Sequence, residues 1–532
     1  ALVQYGMFPG AAQLCVQPVA AIGWLAGAFT VMMTIGLFTM ILSRERFTQG
    51  VKSLEDTNPL AYISPDILKF RHSFQITLPK CAVVLPVKGV RDDSYANWQS
   101  QVTSMYGGPL DFIFVVEAED DPAYPHIERL IREHADANIR LLVAGRTWYC
   151  SQKMHNQLHG FEAVLRTAAK YVILLDDDIH LHPGTIRIWV EEMESDPKAV
   201  VASGYTFDWV GPSVTGMAPY LWMMWRIVAS VAFHHVHDRP GFIWGGAMMF
   251  RTSELKQNVC GLMDAWTDGG YSEDFATLSL ARYHGRTNCV PKAALFPSEV
   301  GEVTMPQLWN YLKRQIFVVT STFASPHQRY LAYGAQGYSM AMGICTSAAL
   351  VTACPLAALL ALHAAHKLSA ALLAGGGGAR RAPGAGAVWA VVWSEVLGEE
   401  EECLEPAIGA CAFLLALSLQ AYACKRVVRA YAELCTTLSP MDRPVLYAHM
   451  PLWRIALAYL GYCVAVPLMT VYCYCCATVE WAGVRYTFRS GKVHQVHRRD
   501  AAGAWYSQSR EQSMERALRA AAEQRLADHG LR

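Results

Sequence analysis

Three adjacent carboxylates, Asp176, Asp177 and Asp178, end an apolar run from Tyr171 to Leu175. Like charges this close repel one another unless a cation sits among them. Hard oxygen donors suit Mg2+ or Mn2+, and such ions bind one or two carboxylates together with substrate phosphates. Asp178 is placed to hold the ion, and Asp176 to hold the ion or a ribose. A solvated acidic loop has the same composition, so the surrounding residues decide between the two. His180 and His182 lie just beyond, either as ligands, as support for ligands, or as structural residues.

Three more charged stations flank this one. The acidic stretch Glu117 to Asp121 directly follows the apolar FIFVV. A carboxylate there can accept the N3–H of a uracil, or simply form an acidic turn. Lys153, with Asn156, stands at the head of a helix-like stretch, where a lysine can neutralise a diphosphate. The segment GGYSEDF from Gly269 brings Glu273 and Asp274 behind two glycines that let the backbone turn close to a ligand. Asp274 at a helix start is either a general base for a hydroxyl or a helix cap.

The elements that must position these residues alternate in type. CAVVLP from Cys81, DFIFVV from Asp111, IRLLV from Ile139 and YVILL from Tyr171 have the composition of buried strands. Helical periodicity lies between them: up to Tyr106, from Pro125, and from Lys153 to Ala169. This alternation predicts an α/β fold with a doubly wound, mostly parallel sheet. Such sheets bind ligands at the carboxyl ends of their strands, where the charged stations fall.

Composition bounds the rest. A chain of 532 residues allows two or more domains. A net charge of +0 argues against nucleic acid as a partner. With 53% hydrophobic residues and a mean hydropathy of +0.16, membrane spans are expected. Val19–Leu42, Tyr338–Leu362, Pro406–Cys424 and Ile455–Val479 carry no charge, and each reaches or approaches the roughly 20 residues that cross a bilayer. The first is too long for a signal-peptide core. Because the chain starts at Ala1, we expect a missing or processed N-terminus. The 15 cysteines lack paired zinc-site spacing and suit a reducing compartment.

Four blocks follow: an N-terminal span (1–43), an α/β domain (44–336) with an interfacial helix near 306–320, a membrane region (337–479) of about three helices with a Gly-rich and acidic insert (374–404), and a basic tail (480–532) with a helical end. Arg44, Arg46 and Lys52, with Lys425, Arg426, Arg429 and Arg443, place the α/β domain and the Lys425 loop in the cytosol. Four crossings would put the tail opposite, yet Arg485, Arg489, Lys492, Arg498 and Arg499 favour the cytosol. The Ala-, Glu- and Arg-rich end of the tail is helical by propensity, either solvated or docking a protein partner.

The ordered set LPVKG, VEAEDDPAY, KMHN, LLDDDIHLHPGT, FIWGGAMMF, GGYSEDF and WNYLKRQ resembles the ceramide glucosyltransferases of plant and algal type. The resemblance runs from the first span to WAGVRYTFRSGKV near Trp481 and omits the Gly-rich insert and the final tail. It implies a GT-A fold fused to transmembrane helices, UDP-glucose as donor, Mg2+ or Mn2+ as cofactor, and ceramide or a similar membrane lipid as acceptor. The product would be β-glucosylceramide, made with inversion at an ER or Golgi membrane by a cytosolic catalytic domain. Carried over by motif, Asp121 is a nucleotide contact and Asp176 the metal–nucleotide aspartate. Asp274 is the general base beside Glu273, and Trp244, Gly245 and Gly246 form a loop at the acceptor side. Glu117 and Lys153 join the donor set, and Arg314 keeps a phosphate contact.

Two departures stand out. Gln315 follows Arg314 where the family motif has Trp. No acidic residue lies between Asp208 and Asp238, near the acceptor, although His234, His235 and His237 do. These leave open another membrane transferase with a different lipid or sugar acceptor, and a catalytically silent structural subunit of a membrane complex.

Overall fold

The computed structural model describes residues 9–56, 60–63, 78–233, 242–321, isolated positions from 326 to 346, 401–500 and 502–509. At 9–30, 33, 231–233, 320, 321 and 401–414 the backbone alone is described. The span Tyr338–Leu362, nearly all of the insert 374–404, the tail beyond 509, and His234, His235 and His237 therefore lie outside, wholly or mostly.

α1 (Pro9–Glu55) leads into β1 (Cys81–Pro86), α2 (Ser94–Val102), β2 (Leu110–Val116), α3 (Ala123–Glu133), β3 (Asn138–Val143), α4 (Gln152–Val164) and β4 (Tyr171–Leu175). After α5 (Thr185–Ser195) come β5 (Ala199–Ser203), β6 (Tyr205–Val210), α6 (Ala218–Phe233) and β7 (Ala247–Arg251). The short α7 (Thr252–Lys256) and α8 (Leu262–Thr267) precede α9 (Glu273–Tyr283), β8 (Thr287–Cys289), β9 (Leu295–Val300) and α10 (Met305–Ser321). The seven-stranded sheet has the order β3-β2-β1-β4-β7-β5-β8. Only β7 runs against its neighbours, so the mostly parallel α/β sheet expected from the alternation is present.

Strand side chains alternate between faces, and here both faces are buried. Val83, Leu85, Phe114, Ile173 and Leu175 point to Trp98, Ile127 and Trp189 of α2, α3 and α5. Val84, Ile113, Val115, Val172 and Leu174 point to Met154, Phe161 and Val164 of α4. α4 lies so close to the sheet that a Cβ at Gly160 would collide with Val84. That contact fixes the helix whose first turn carries Lys153.

β6 and β9 pair in parallel as a separate ribbon, and on it packs a helical layer. The layer adds α11 (Glu401–Leu438) and α12 (Leu452–Cys475) to α1 and α6. Leu37 and Met40, Met223 and Met224, Val427 and Tyr431, and Ile455 and Ala458 share one core with Tyr205 and Phe207 of the ribbon. Arg426 of α11 pairs with Glu45 of α1 at 2.6 Å. At about 1.5 Å per residue the 47 residues of α1 extend about 70 Å. Among the described residues one helix, Leu452–Tyr474, is long and apolar enough to cross a membrane.

Two expectations are corrected. The Lys425 loop is mostly helix, because Lys425 to Leu438 continues α11 with good helix formers. The first part of the basic tail (480–532) is not unstructured but belongs to an antiparallel meander over 478–509 of β10 (Thr478–Trp481), β11 (Val484–Arg489), β12 (Lys492–Arg499) and β13 (Trp505–Ser509). Its first two turns, Ala482–Gly483 and Ser490–Gly491, have positive φ at both residues, as tight hairpins require. The meander packs on α10, α12 and the loops at the carboxyl edge of the sheet, so it shares one side of any membrane the helices cross with the α/β domain, as the tail's arginines favour and a four-crossing count does not. α10 buries Leu308, Tyr311, Leu312, Ile316 and Phe317 in a core with α12 and the meander, while Trp309 stays exposed.

Candidate active site

The sheet brings the four charged stations to one edge. β4 is wholly buried, so Asp176 to Asp178 emerge where the chain first leaves the core. From α4, Lys153 Nζ reaches Asp176 Oδ1 and Glu273 Oε1 at 2.6 Å each, and donates to the Gly245 carbonyl at 3.4 Å. Burial pulls the Lys153 ammonium down, but the two carboxylates outweigh it and keep it charged. Burial pushes Asp176 up to about 7 despite Lys153, with Asp178 and Glu273 adding to the rise. Asp177 is likewise pushed up to about 8, by burial and then by Asp178, against Arg91.

Asp274 stands one residue into α9. Its Oδ2 accepts the Gly245 N–H at 3.1 Å, and its Oδ1 accepts from Phe275 N at 2.8 Å and from the Ser272 hydroxyl. The helix cap position belongs to Ser272, so Asp274 is not the cap. Burial, then the neighbouring Glu273, raises its carboxyl above the usual carboxylate range. A Cβ at Gly245 would stand 3.0 Å from Glu273 Oε1 and 3.2 Å from Asp274 Oδ2, so glycine keeps this approach open.

At the neighbouring strand end, Lys88 bridges Glu117 at 3.6 Å and Asp121 at 3.2 Å. Asp121 Oδ1 also accepts from Gly89 N and Ala123 N, at 2.8 and 3.0 Å, tying the β1 and β2 loops together. Arg91 lies 3.7 Å from Asp177 and 3.8 Å from Asp178. Arg314, on α10, stacks over Trp481 at 5.6 Å, and Lys153 lies 6.0 Å from the same ring. Arg314 thus has an aromatic neighbour from the meander, although Gln315 follows it in the chain.

On the far side of Gly245, Trp244 meets Arg226 and Tyr205. Arg226 pairs with Asp208 at 3.2 Å, Trp222 Nε1 donates to the same carboxylate at 2.7 Å, and Trp222 stacks on Tyr311. Asp208 of β6 thus places a carboxylate against α6, which has no acid of its own. His180 and His182 turn away to contacts with other parts of the chain. Buried His182 contacts the Ser439 hydroxyl at 2.7 Å and the Leu295 carbonyl at 2.6 Å, and burial lowers it to about 4. His180 contacts Asp442 at 2.8 Å. Together they pin the α11–α12 connection to the end of β4.

Among the described residues no group of three or more His, Cys, Asp or Glu converges as a metal cage. Two aspartates with phosphate oxygens and waters are nonetheless an ordinary way to hold Mg2+, so the donor chemistry of Asp176 and Asp178 fits a hard cation. Sequence reasoning missed Lys88, Arg91, Arg498 and Trp481. Lys88 lies within LPVKG and Arg91 two residues beyond it, but nothing local named their partners.

A charged, carboxylate-lined edge at the strand ends of a mostly parallel sheet is where α/β folds bind their ligands. The chain belongs to Glycosyl transferase family 21, whose sequence model matches residues 60–399. It is similar to Ceramide glucosyltransferase 1 of Caenorhabditis elegans, with 27% identity over 124 residues, covering 23% of this chain and 25% of that relative. The match thus spans a quarter of the curated relative's length. A distant structural likeness links it to a mannosyltransferase from Pyrobaculum calidifontis in complex with GDP-Man and Mn2+, with a TM-score of 0.33 and 14% identity, covering 74% of this chain and 97% of that one.

Proposed function

We propose that this chain transfers glucose from UDP-glucose to the primary hydroxyl of ceramide, releasing UDP and forming β-glucosylceramide. The observation that carries this reading is the Lys153–Asp176–Glu273 cluster with Asp274 beside it, at the carboxyl edge of the sheet of a family 21 chain. Its likeness to a ceramide glucosyltransferase supports the choice of donor and acceptor.

UDP would lie across the ends of β1, β2 and β4, with Glu117 and Asp121 toward the nucleoside. Asp176 and Asp178 would hold Mg2+ or Mn2+, and the bound ion supplies charge neutralisation at the diphosphate. Lys153 and Arg314 would add positive charge where negative charge grows as UDP departs. Asp274 would take the proton of the ceramide hydroxyl while that oxygen bonds to the anomeric carbon and the bond to UDP breaks. One displacement inverts the configuration. A carboxylate with a raised pKa is the better base near neutral pH.

Trp244, Gly245 and Gly246 would line the acceptor side, and the exposed Trp309 on α10 would sit at the lipid interface. On this reading the protein is a multi-pass protein of an ER or Golgi membrane, with its catalytic domain in the cytosol.

Purified protein with UDP-glucose, short-chain ceramide and Mg2+ or Mn2+ should yield glucosylceramide. UDP-glucose binding with no product on ceramide would point to another acceptor. No binding of UDP or UDP-glucose would point to a silent subunit.

A further inference from the structure

The residues that close the donor edge come partly from beyond the family match. The meander, residues 478–509, touches three of the four stations at once. Arg498 Nη1 donates to Glu117 Oε1 at 2.6 Å, with both side chains about 6% exposed. Its Nη2 donates to the Gln152 side chain and to the Thr147 carbonyl, in the loop that starts α4. The Gln152 N–H donates to the Tyr486 hydroxyl at 3.1 Å, one residue before Lys153. At the GGYSEDF loop, Val493 N donates to the Gly269 carbonyl at 3.0 Å, and Lys492 pairs with Asp268. Tyr271 packs edge-on against Trp481, Tyr486 and Phe488.

These contacts bear on the cations and acids that would meet the donor. Trp481 faces Lys153 and Arg314 together, so one ring locates both positive groups. Arg498 is the closest of the three cations at Glu117, ahead of Arg146 at 3.4 Å and Lys88 at 3.6 Å. The Arg498 Nε is buried with no hydrogen-bond partner among the described residues. A donor that is buried and unpaired is costly unless something is bound to it.

We infer that the C-terminal meander is a wall of the nucleoside-diphosphate site, in which Arg498 positions Glu117 and Trp481 positions Lys153 and Arg314. The inference rests on the donor half of the proposed function and is independent of the acceptor. Neither residue is assigned a chemical step. Both act by fixing groups that meet the nucleotide, so their loss should appear in UDP affinity and in KM for UDP-glucose more than in kcat.

The test is UDP binding to the full-length protein by calorimetry in the presence of Mn2+, with melting temperature followed in parallel. Arg498→Met and Trp481→Leu should weaken UDP about tenfold or more, as truncating one member of a buried charged contact does. Arg498→Lys and Trp481→Phe should recover part of the loss while melting like the wild type. Folded variants that bind UDP as the wild type does would overturn the inference. Should Arg498→Met not fold, amide exchange of the wild-type chain answers the same question. UDP should slow exchange across β10 to β12, and unchanged exchange there overturns the inference. A wild-type chain that binds UDP but glycosylates no ceramide leaves the wall in place and removes only the acceptor. A chain that binds no UDP removes both.

Discussion

The two sides of Gly245 are built from different materials. On the side proposed for the donor, Lys88, Arg91, Lys153 and Arg498 interleave with Glu117, Asp121, Asp176 to Asp178 and Glu273, drawn from distant parts of the chain. On the side proposed for the acceptor the ion pair Asp208–Arg226 sits among Trp222, Trp244 and Tyr311. The first arrangement suits a ligand whose charge changes during reaction, because fixed charges stabilise such change without reorganising. The second suits a largely apolar ligand with a small polar head, gripped by aromatic faces and few hydrogen bonds.

If that contrast is right, the largest effect should come from the residue between the two sides. Asp274→Asn should lower transfer by about 10²–10⁴-fold, as loss of a general base does, with UDP binding kept. Next, Lys153→Met would strand the buried Glu273 carboxylate and Asp176. It should lower stability by about 3–5 kcal/mol, read as a falling melting temperature, and weaken UDP as well. A variant that melts normally would mean that the donor side is not held by that charge cluster.

Trp222→Ala should act on the other side alone, raising KM for ceramide while leaving KM for UDP-glucose unchanged. An equal rise in both would erase the distinction. In the pH profile, Asp274 must be deprotonated to act. Because burial and Glu273 raise its pKa, activity should be lost as pH falls through a value above the ordinary carboxylate range of about 3.9. A limb at the ordinary value would place Asp274 in water rather than in the cleft. The smallest change expected is from Asp442→Asn, which removes a partly exposed contact to His180 and should cost less than about 1 kcal/mol.

What the sequence made legible follows the same division. YVILLDDD could be read locally, because an apolar run that ends in three acids fixes both the strand and the edge at which it opens. Lys153, Glu273 and Asp274 were readable one by one, and the fold joined them. The contacts that close the site were not readable, since Arg498 meets Glu117 across hundreds of residues, and no local pattern encodes such a meeting. The meander itself left a signal. Val484, Tyr486 and Phe488, then Val493 and Val496, alternate or nearly alternate about a Ser490–Gly491 turn. Its abundant arginines drew attention to charge instead of period. Asp208 was overlooked for a simpler reason: it reaches α6 from the preceding strand rather than from within the helix.

The central claim is that Asp274 takes the acceptor proton at a donor site that exists without it. It is tested most directly by measuring glucosylceramide formation and UDP affinity together on wild type and Asp274→Asn. The account predicts equal UDP affinity and a transfer rate lower by about 10²–10⁴-fold in the variant. An Asp274→Asn protein that binds UDP and makes glucosylceramide at the wild-type rate would contradict it.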